Sequence, residues 1–196
     1  SSDLNSQEGI PFFVNYPASV YQAHNRNFDV VCDSCGNVYF ANFEGILHYD
    51  YSRWETIYTP GFSRVTRLFR DSEGRIWVGG YNVFGRIERD GRGCITLRTL
   101  LSDPDTDSLG ELEDMAEIDK RIYLKATSGG YYTVQSDSIL APVQVLPAQL
   151  QEKWRNQSSV SMNRAFSLPG GETISINSAH GLIMDDSGKK ERFSVT

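Results

Sequence analysis

Cysteine is scarce in this chain. Cys32, Cys35 and Cys94 are an odd number, so they cannot supply a complete disulfide framework. Cys32 and Cys35 have the C-x-x-C spacing of a redox pair or of half a zinc site, but Cys94 stands alone and no histidine lies at finger spacing. The reading adopted puts Cys32 at the end of an inner strand and Cys35 beside a turn glycine, with no metal and no cofactor. Long hydrophobic runs are missing too. No window approaches the roughly 18 apolar residues of a membrane-crossing helix. Basic residues are few and scattered, 19 against 25 acidic for a net charge of −6. The longest basic cluster, Lys189-Lys190-Glu191-Arg192, contains an acid. A nucleic-acid surface spread over the chain is thereby excluded, because phosphate binding wants clustered Lys and Arg. Histidine is limited to His24, His48 and His180, none within a nucleophile motif or at metal-ligand spacing.

What the chain does have is aromatics, ten Tyr and ten Phe in 196 residues, in a pattern that repeats. Asp33-Ser34-Cys35-Gly36-Asn37-Val38-Tyr39-Phe40-Ala41 and Asp71-Ser72-Glu73-Gly74-Arg75-Ile76-Trp77-Val78-Gly79 share a turn followed by an apolar strand with a central aromatic. Asp119 to Lys125 and Pro169 to Ile176 are looser copies. Gly45, Gly85, Gly130 and Gly181 read as openers of the following strand, spaced 40, 45 and 51 residues apart. Short strands at this period are the signature of propeller blades, each of which buries its faces only against neighbours. The fold expected is all-β: a β-propeller of about four four-stranded antiparallel blades, forming a partial propeller that is open or closed by a second copy.

The blades thread as residues 28–58, 65–100, 112–147 and 158–196, after an N-terminal segment, 1–27, with an added strand at Gly9 to Tyr16. The fourth blade takes Glu191 to Val195 as its outer strand. The Asp-Gly pair at Asp90-Gly91 marks a hairpin. Pro147 to Trp154 predicts a short helix linking blades three and four, with Leu150 and Trp154 on one face packed against the sheets rather than stacked on a ligand. The turn aspartates should hydrogen-bond backbone N–H groups two residues on. The chain opens on Ser1-Ser2-Asp3 and ends inside an apparent strand, and it reads as a piece of something longer.

Antiparallel threading collects the B–C loops and inter-blade loops on one face. There lie His24, Asn25, Arg26, Asn27, Asn42, Phe43, Tyr81, Asn82, Ser128 and His180. Aromatics beside Asn, Arg and His suit sugars: rings cover C–H faces while amides and guanidinium bond hydroxyls. The same residues also serve as ordinary loop formers. Asp103 to Asp114 carries carboxylates at positions 1, 3, 5, 9 and 12 of a calcium-type loop, but Ser108 stands where the turn glycine belongs; an acidic linker is the other reading.

Arg70 to Gly80, and Cys32 to Asn42 followed by Gly45-Ile46-Leu47, resemble the regulator-propeller repeat of bacterial two-component sensors. Its pattern runs Asp-x-x-Gly-x-hydrophobic-Trp-hydrophobic-Gly-Thr, then Gly-Leu. Repeats three and four lack the Trp, and three lacks the turn Gly as well, so the resemblance is strong over 9–97 and weak over 98–196. It implies a periplasmic sensor, the extracytoplasmic part of an inner-membrane protein, ahead of a transmembrane helix and a histidine kinase, hybrid kinase–regulator or DNA-binding helix-turn-helix. Membrane attachment would come only through downstream segments. It further implies a response to oligosaccharides, by binding without turnover; separately, the unpaired strand edges of an open arc invite self-association, and the scattered basic residues argue against nucleic acid bound here. A carbohydrate-active propeller enzyme (lyase or glycosidase) and a protein-binding scaffold propeller are the alternatives.

Overall fold

A computed structural model describes residues 13–101, 109–135, 139–156, 165–167, 173–177 and 181–185. Its strands form four sheets of four antiparallel strands each. The first holds β2 (Asn27–Cys32), β3 (Val38–Asn42), β4 (Gly45–Tyr49) and β5 (Trp54–Ile57) in that order. The second holds β6 (Val65–Arg70), β7 (Ile76–Gly80), β8 (Val83–Arg89) and β9 (Ile95–Thr99). The third holds β10 (Leu112–Ile118), β11 (Arg121–Ala126), β12 (Tyr131–Gln135) and β13 (Ile139–Pro142). In the fourth, β14 (Ala165–Ser167), β15 (Thr173–Asn177) and β16 (Gly181–Asp185) are joined by β1 (Phe13–Tyr16), which pairs with β16 from Phe13↔Asp185 to Tyr16↔Leu182.

The expected strand at Glu191 to Val195 lies outside the described residues. The outer place in the fourth blade belongs instead to β1. A strand from the chain start satisfies the exposed edge of β16 as well as a strand from the chain end would.

A meander of this kind is local chemistry. Each turn aspartate folds its own hairpin: Asp33 Oδ1 accepts from the Cys35 and Asn37 N–H (2.8 and 2.9 Å), and Asp90 Oδ1 from those of Arg92 and Cys94 (2.8 and 2.9 Å). Asp71 goes further. Its Oδ1 accepts from the Glu73 and Arg75 N–H (3.0 and 2.8 Å), and its Oδ2 from Arg75 Nε (2.6 Å) and the Trp77 indole (2.8 Å). The turn acid thus holds the strand aromatic six residues on, and Asp33 does the same for the Tyr39 hydroxyl at 3.3 Å. The third blade lacks the turn glycine because it turns in two residues. Asp119 and Lys120 both take positive φ (49° and 61°), the two-residue hairpin in which both central residues are left-handed.

Blade-to-blade packing follows one register. Three residues before the end of each second strand stand Tyr39, Trp77, Tyr123 and Ile174. Ile174 packs with Val30, Val38, Phe40 and Leu47 of the first blade. Tyr39 packs with Val65, Leu68 and Val78 of the second, and Trp77 with Leu112, Met115 and Leu124 of the third. The order around the arc is therefore fourth, first, second, third. Beyond the third blade, Tyr123 and Ala116 pack against α2 (Ala148–Asn156) through Leu150 and Trp154. The inner strands are stitched as well: Asp29 Oδ2 accepts from Leu68 N–H (3.1 Å), the Thr66 hydroxyl donates to the Leu112 carbonyl (3.2 Å), and Arg67 donates to that of Glu113.

The third strand of the second blade opens at Val83, the counterpart of Gly45, so Gly85 sits two residues inside it rather than opening it. There the Arg98 backbone leaves no room for a Cβ. Cys32 ends β2, and Cys35 lies beside Gly36 in the turn. Burial, then the neighbouring Asp33 charge, pushes the Cys32 thiol up to about 11, which keeps it protonated at neutral pH.

Candidate functional site

The loop face is built where second strands end and first strands begin. The short hairpins Phe43-Glu44 and Tyr81-Asn82 push their first residue outward: Phe43 is 38% exposed and Tyr81 49%. Around Phe43 the preceding segment is tied down tightly. Phe43 N–H donates to the Arg26 carbonyl (3.1 Å), and Arg26 N–H donates to His24 Nδ1 (3.1 Å). The His24 and Phe43 rings lie 4.7 Å apart, and the Arg26 guanidinium stands 5.8 Å from the Phe28 ring centre. Asn25 is exposed beside them.

Asn42 and Asn82 do not present themselves to a ligand. Asn42 is fully buried; its amide donates to the His24 carbonyl (2.6 Å) and to Asn27 Oδ1 (2.8 Å), and its side-chain carbonyl accepts from Glu44 N–H (2.9 Å). It is the clamp of the first loop, and Asn27 is its partner. Asn82 adopts a left-handed backbone (φ 49°), and its Oδ1 accepts from Gly110 N–H at 2.7 Å, which fixes the entry to the third blade. Both side chains are engaged within the protein, so the loop geometry rather than a ligand accounts for them. Ser128 is exposed in the loop between β11 and β12, and His180 lies outside the described residues.

Three further groups, which the repeat pattern does not single out, complete the face. Tyr58, Phe62 and Arg64 lie in the connection from β5 to β6, where aromatics around a Pro-Gly turn are the signal in the sequence. Tyr58 is 55% and Phe62 73% exposed, with rings edge to face at 5.5 Å. Phe62 has φ 53°, a left-handed backbone that a bulky residue rarely takes. Gly61 (φ 68°), the Phe62 N–H to Thr59 carbonyl bond (3.0 Å) and the Thr59 hydroxyl to Ser63 carbonyl bond (2.6 Å) hold it there. Arg64 lies 5.3 Å from the Tyr81 ring centre and grips Glu111 with two bonds, 3.0 and 2.7 Å. Those bonds hold the Glu111 carboxyl below its usual range.

The pieces are contiguous. A Cβ at Gly45 would meet the Ile57 carbonyl and the Tyr58 Cα, and one at Gly80 would meet the Arg64 carbonyl. Glycine at both points lets the hairpins close onto the inter-blade loop. The result is a strip running from His24, Arg26 and Phe43 across Tyr58 and Phe62 to Arg64 and Tyr81, which sets aromatic rings beside two guanidinium groups. Such a strip offers flat apolar contact and planar donors together.

Of the calcium-type loop only the second half is described. Asp103 to Ser108 lie outside the described residues, while Glu111 is held by Arg64 and Asp114 by Lys153 (2.8 Å) and the Trp154 indole (2.8 Å). Among the described residues no group of three His, Cys, Asp or Glu is placed to hold a metal. Nor is any helix among them long and apolar enough to cross a membrane.

No curated protein matches the chain in sequence. Among solved structures, a streptogramin B lyase is similar at TM-score 0.51 and 16% identity, over 89% of this chain and 58% of that one. The virginiamycin B lyase of Staphylococcus aureus follows at TM-score 0.49 and 14% identity, over 88% and 58%. The extracellular domain of a proposed hybrid two component system from B. thetaiotaomicron gives TM-score 0.47 and 12% identity, over 92% and 28%. The likeness to the first is one of fold, and this chain spans less than two thirds of each of these chains. Residues 60–82 match the family described as Two component regulator propeller. That stretch runs from the Pro-Gly turn through β6 and β7 to Asn82, so it includes Phe62, Arg64 and Tyr81 of the strip. The match thus falls on one repeat, the first half of the second blade with the turn before it, and there the chain is similar to a regulator-propeller repeat.

Proposed function

We propose that this chain is the extracytoplasmic, periplasmic ligand-sensing part of a two-component or transcription regulator, and that it binds oligosaccharides across the aromatic strip without turning them over. The observation that carries the reading is Phe62. Holding a phenylalanine in the left-handed region costs about 1–2 kcal/mol, and nothing in the core is gained by it, since the ring is displayed to solvent. Backbone strain that displays an aromatic beside Tyr58, Arg64 and Tyr81 fits a surface made for stacking on rings. A ligand seated there would bias the packing of the arc against the next domain, and that bias would pass to a kinase or helix-turn-helix downstream as a shifted dimer geometry. Self-association through the free blade edges belongs to the same reading.

The test is an oligosaccharide screen by ligand-observed NMR, followed by chromatography of the mixtures. Binding without product is expected. Phe62→Ala combined with Tyr81→Ala removes two stacking platforms and should weaken binding about tenfold, while the melting temperature holds. Product formation would instead mark a carbohydrate-active enzyme. Binding that ignores both substitutions would refute the strip.

A further inference from the structure

α2 stands where the next blade would stand, and it is too narrow for the place. A helix with its side chains is about 10 Å across, whereas four strands at about 4.8 Å spacing span roughly 14 Å between outer axes. Leu150 and Trp154 cover Ala116 of β10, Tyr123 of β11 and Tyr131 at the start of β12. Beside them a cleft of about 450 Å³ remains between Tyr131 of β12, the connection from Gln144 to Leu146 and α2. This is within the range of small-molecule sites, about 300–1,000 Å³.

Its walls differ in character. Val145, 79% exposed, and Leu146 line it with Tyr131 and Trp154, whose rings stack on each other at 5.6 Å and 7°. Gln144 and Gln151 supply amides, and the Gln151 side-chain N–H donates to the Leu146 carbonyl (2.8 Å), which leaves its side-chain oxygen without a bond to that carbonyl and able to accept. Arg155 also lines the cleft. The neighbouring cation Lys153 is already matched by Asp114 at 2.8 Å, but no carboxylate among the described residues pairs with Arg155.

From this arrangement we infer that the cleft between Tyr131 of β12, the Gln144 to Leu146 connection and α2 binds a cyclic polyhydroxy carboxylate, its ring on Val145 and Leu146, its hydroxyls on the two glutamines and its carboxylate on Arg155. The guanidinium fork matches a carboxylate in two parallel hydrogen bonds. The site is separate from the aromatic strip and does not depend on it.

The experiment compares glucuronate with glucose by saturation-transfer NMR on the whole chain. Glucuronate should bind at least tenfold more tightly than glucose, since a charge-assisted pair replaces a neutral one. Arg155→Gln should erase the difference, and Val145→Glu, which puts a like charge at the mouth, should abolish glucuronate binding. Both positions are exposed, so unchanged melting will show that the fold persists. Phe62→Ala should leave glucuronate binding intact. Equal affinity for the two probes, no binding of glucuronate, or retention in Arg155→Gln would overturn the assignment; loss in Phe62→Ala would move the binding to the strip instead.

Discussion

Replacing Asp71 by alanine tests the idea that one turn carboxylate organises a whole blade. Asp71 has a fully buried side chain and accepts four hydrogen bonds. The Glu73 N–H is at the surface and would find water. The Trp77 indole N–H would not, because that ring is 1% exposed between the second and third blades. Leaving it unpaired costs about 1–3 kcal/mol. Arg75 is about a third exposed and rehydrates in part, so its loss adds at the low end of the range for a broken ion pair, about 1 kcal/mol. The sum is about 3 kcal/mol. With a urea slope of about 2–3 kcal/mol per M, the midpoint followed by far-UV circular dichroism should fall by about 1 M. Asp71→Asn keeps an oxygen for Trp77 and should lose about half as much. Asp90→Ala removes only two backbone acceptor bonds in an exposed turn and should cost about 1 kcal/mol or less.

The pH dependence supplies the sign. Burial alone would raise the Asp71 pKa, but the bonds from Trp77 and Arg75 outweigh it and hold the carboxyl below its usual value. The stability it contributes is present above the unfolded value of about 3.9 and is lost as pH falls through the folded one. The gap between wild type and Asp71→Ala should therefore close in acid. If Asp71→Ala and Asp90→Ala unfold at midpoints that agree within error, the carboxylate does not anchor the strand aromatic and the account of the blade is wrong.

Two further outcomes follow from the packing. Burial keeps the His48 imidazole below its ordinary pKa, despite the opposing pull of Asp50 and Glu55, the latter 3.9 Å away, so below about pH 6.5 the unfolded chain takes up a proton that the folded one refuses. Stability should decline from there downward, and the decline should flatten in His48→Phe; equal pH slopes for the two proteins would show that His48 titrates freely. Leu150→Ala should cost about 2–4 kcal/mol and, by loosening α2 from Ala116 and Tyr123, promote self-association seen by sedimentation velocity. A loss under about 1 kcal/mol, with sedimentation unchanged, would mean that α2 is not a blade's stand-in.

The hairpins can be read from residues alone because their chemistry is short-ranged. Asp33, Asp71 and Asp90 reach N–H groups two and four residues on, and β3, β6, β11 and β15 follow from the apolar runs beside them. The misplaced strand start at Gly85 has a local cause as well. Asn82 can adopt the left-handed backbone at low cost, so Tyr81-Asn82 makes a two-residue hairpin and β8 begins at Val83. The candidate site is legible only in part. Polar loop residues suggest ligand-facing groups, but Asn42 and Asn82 turn inward to satisfy backbone groups, while Tyr58 and Phe62 are displayed.

The amino-acid sequence by itself determined the unit: a turn, four short strands and a face of apolar residues that demands a neighbour, all encoded within about 40 residues. Only the tertiary structure decided which neighbour each face receives. That β1 completes the fourth blade, that Ile174 meets the first blade and that α2 caps the third are contacts between residues far apart in the chain. Apolar burial is non-directional: it requires that Tyr123 be covered, but a helix satisfies it as readily as a fifth sheet.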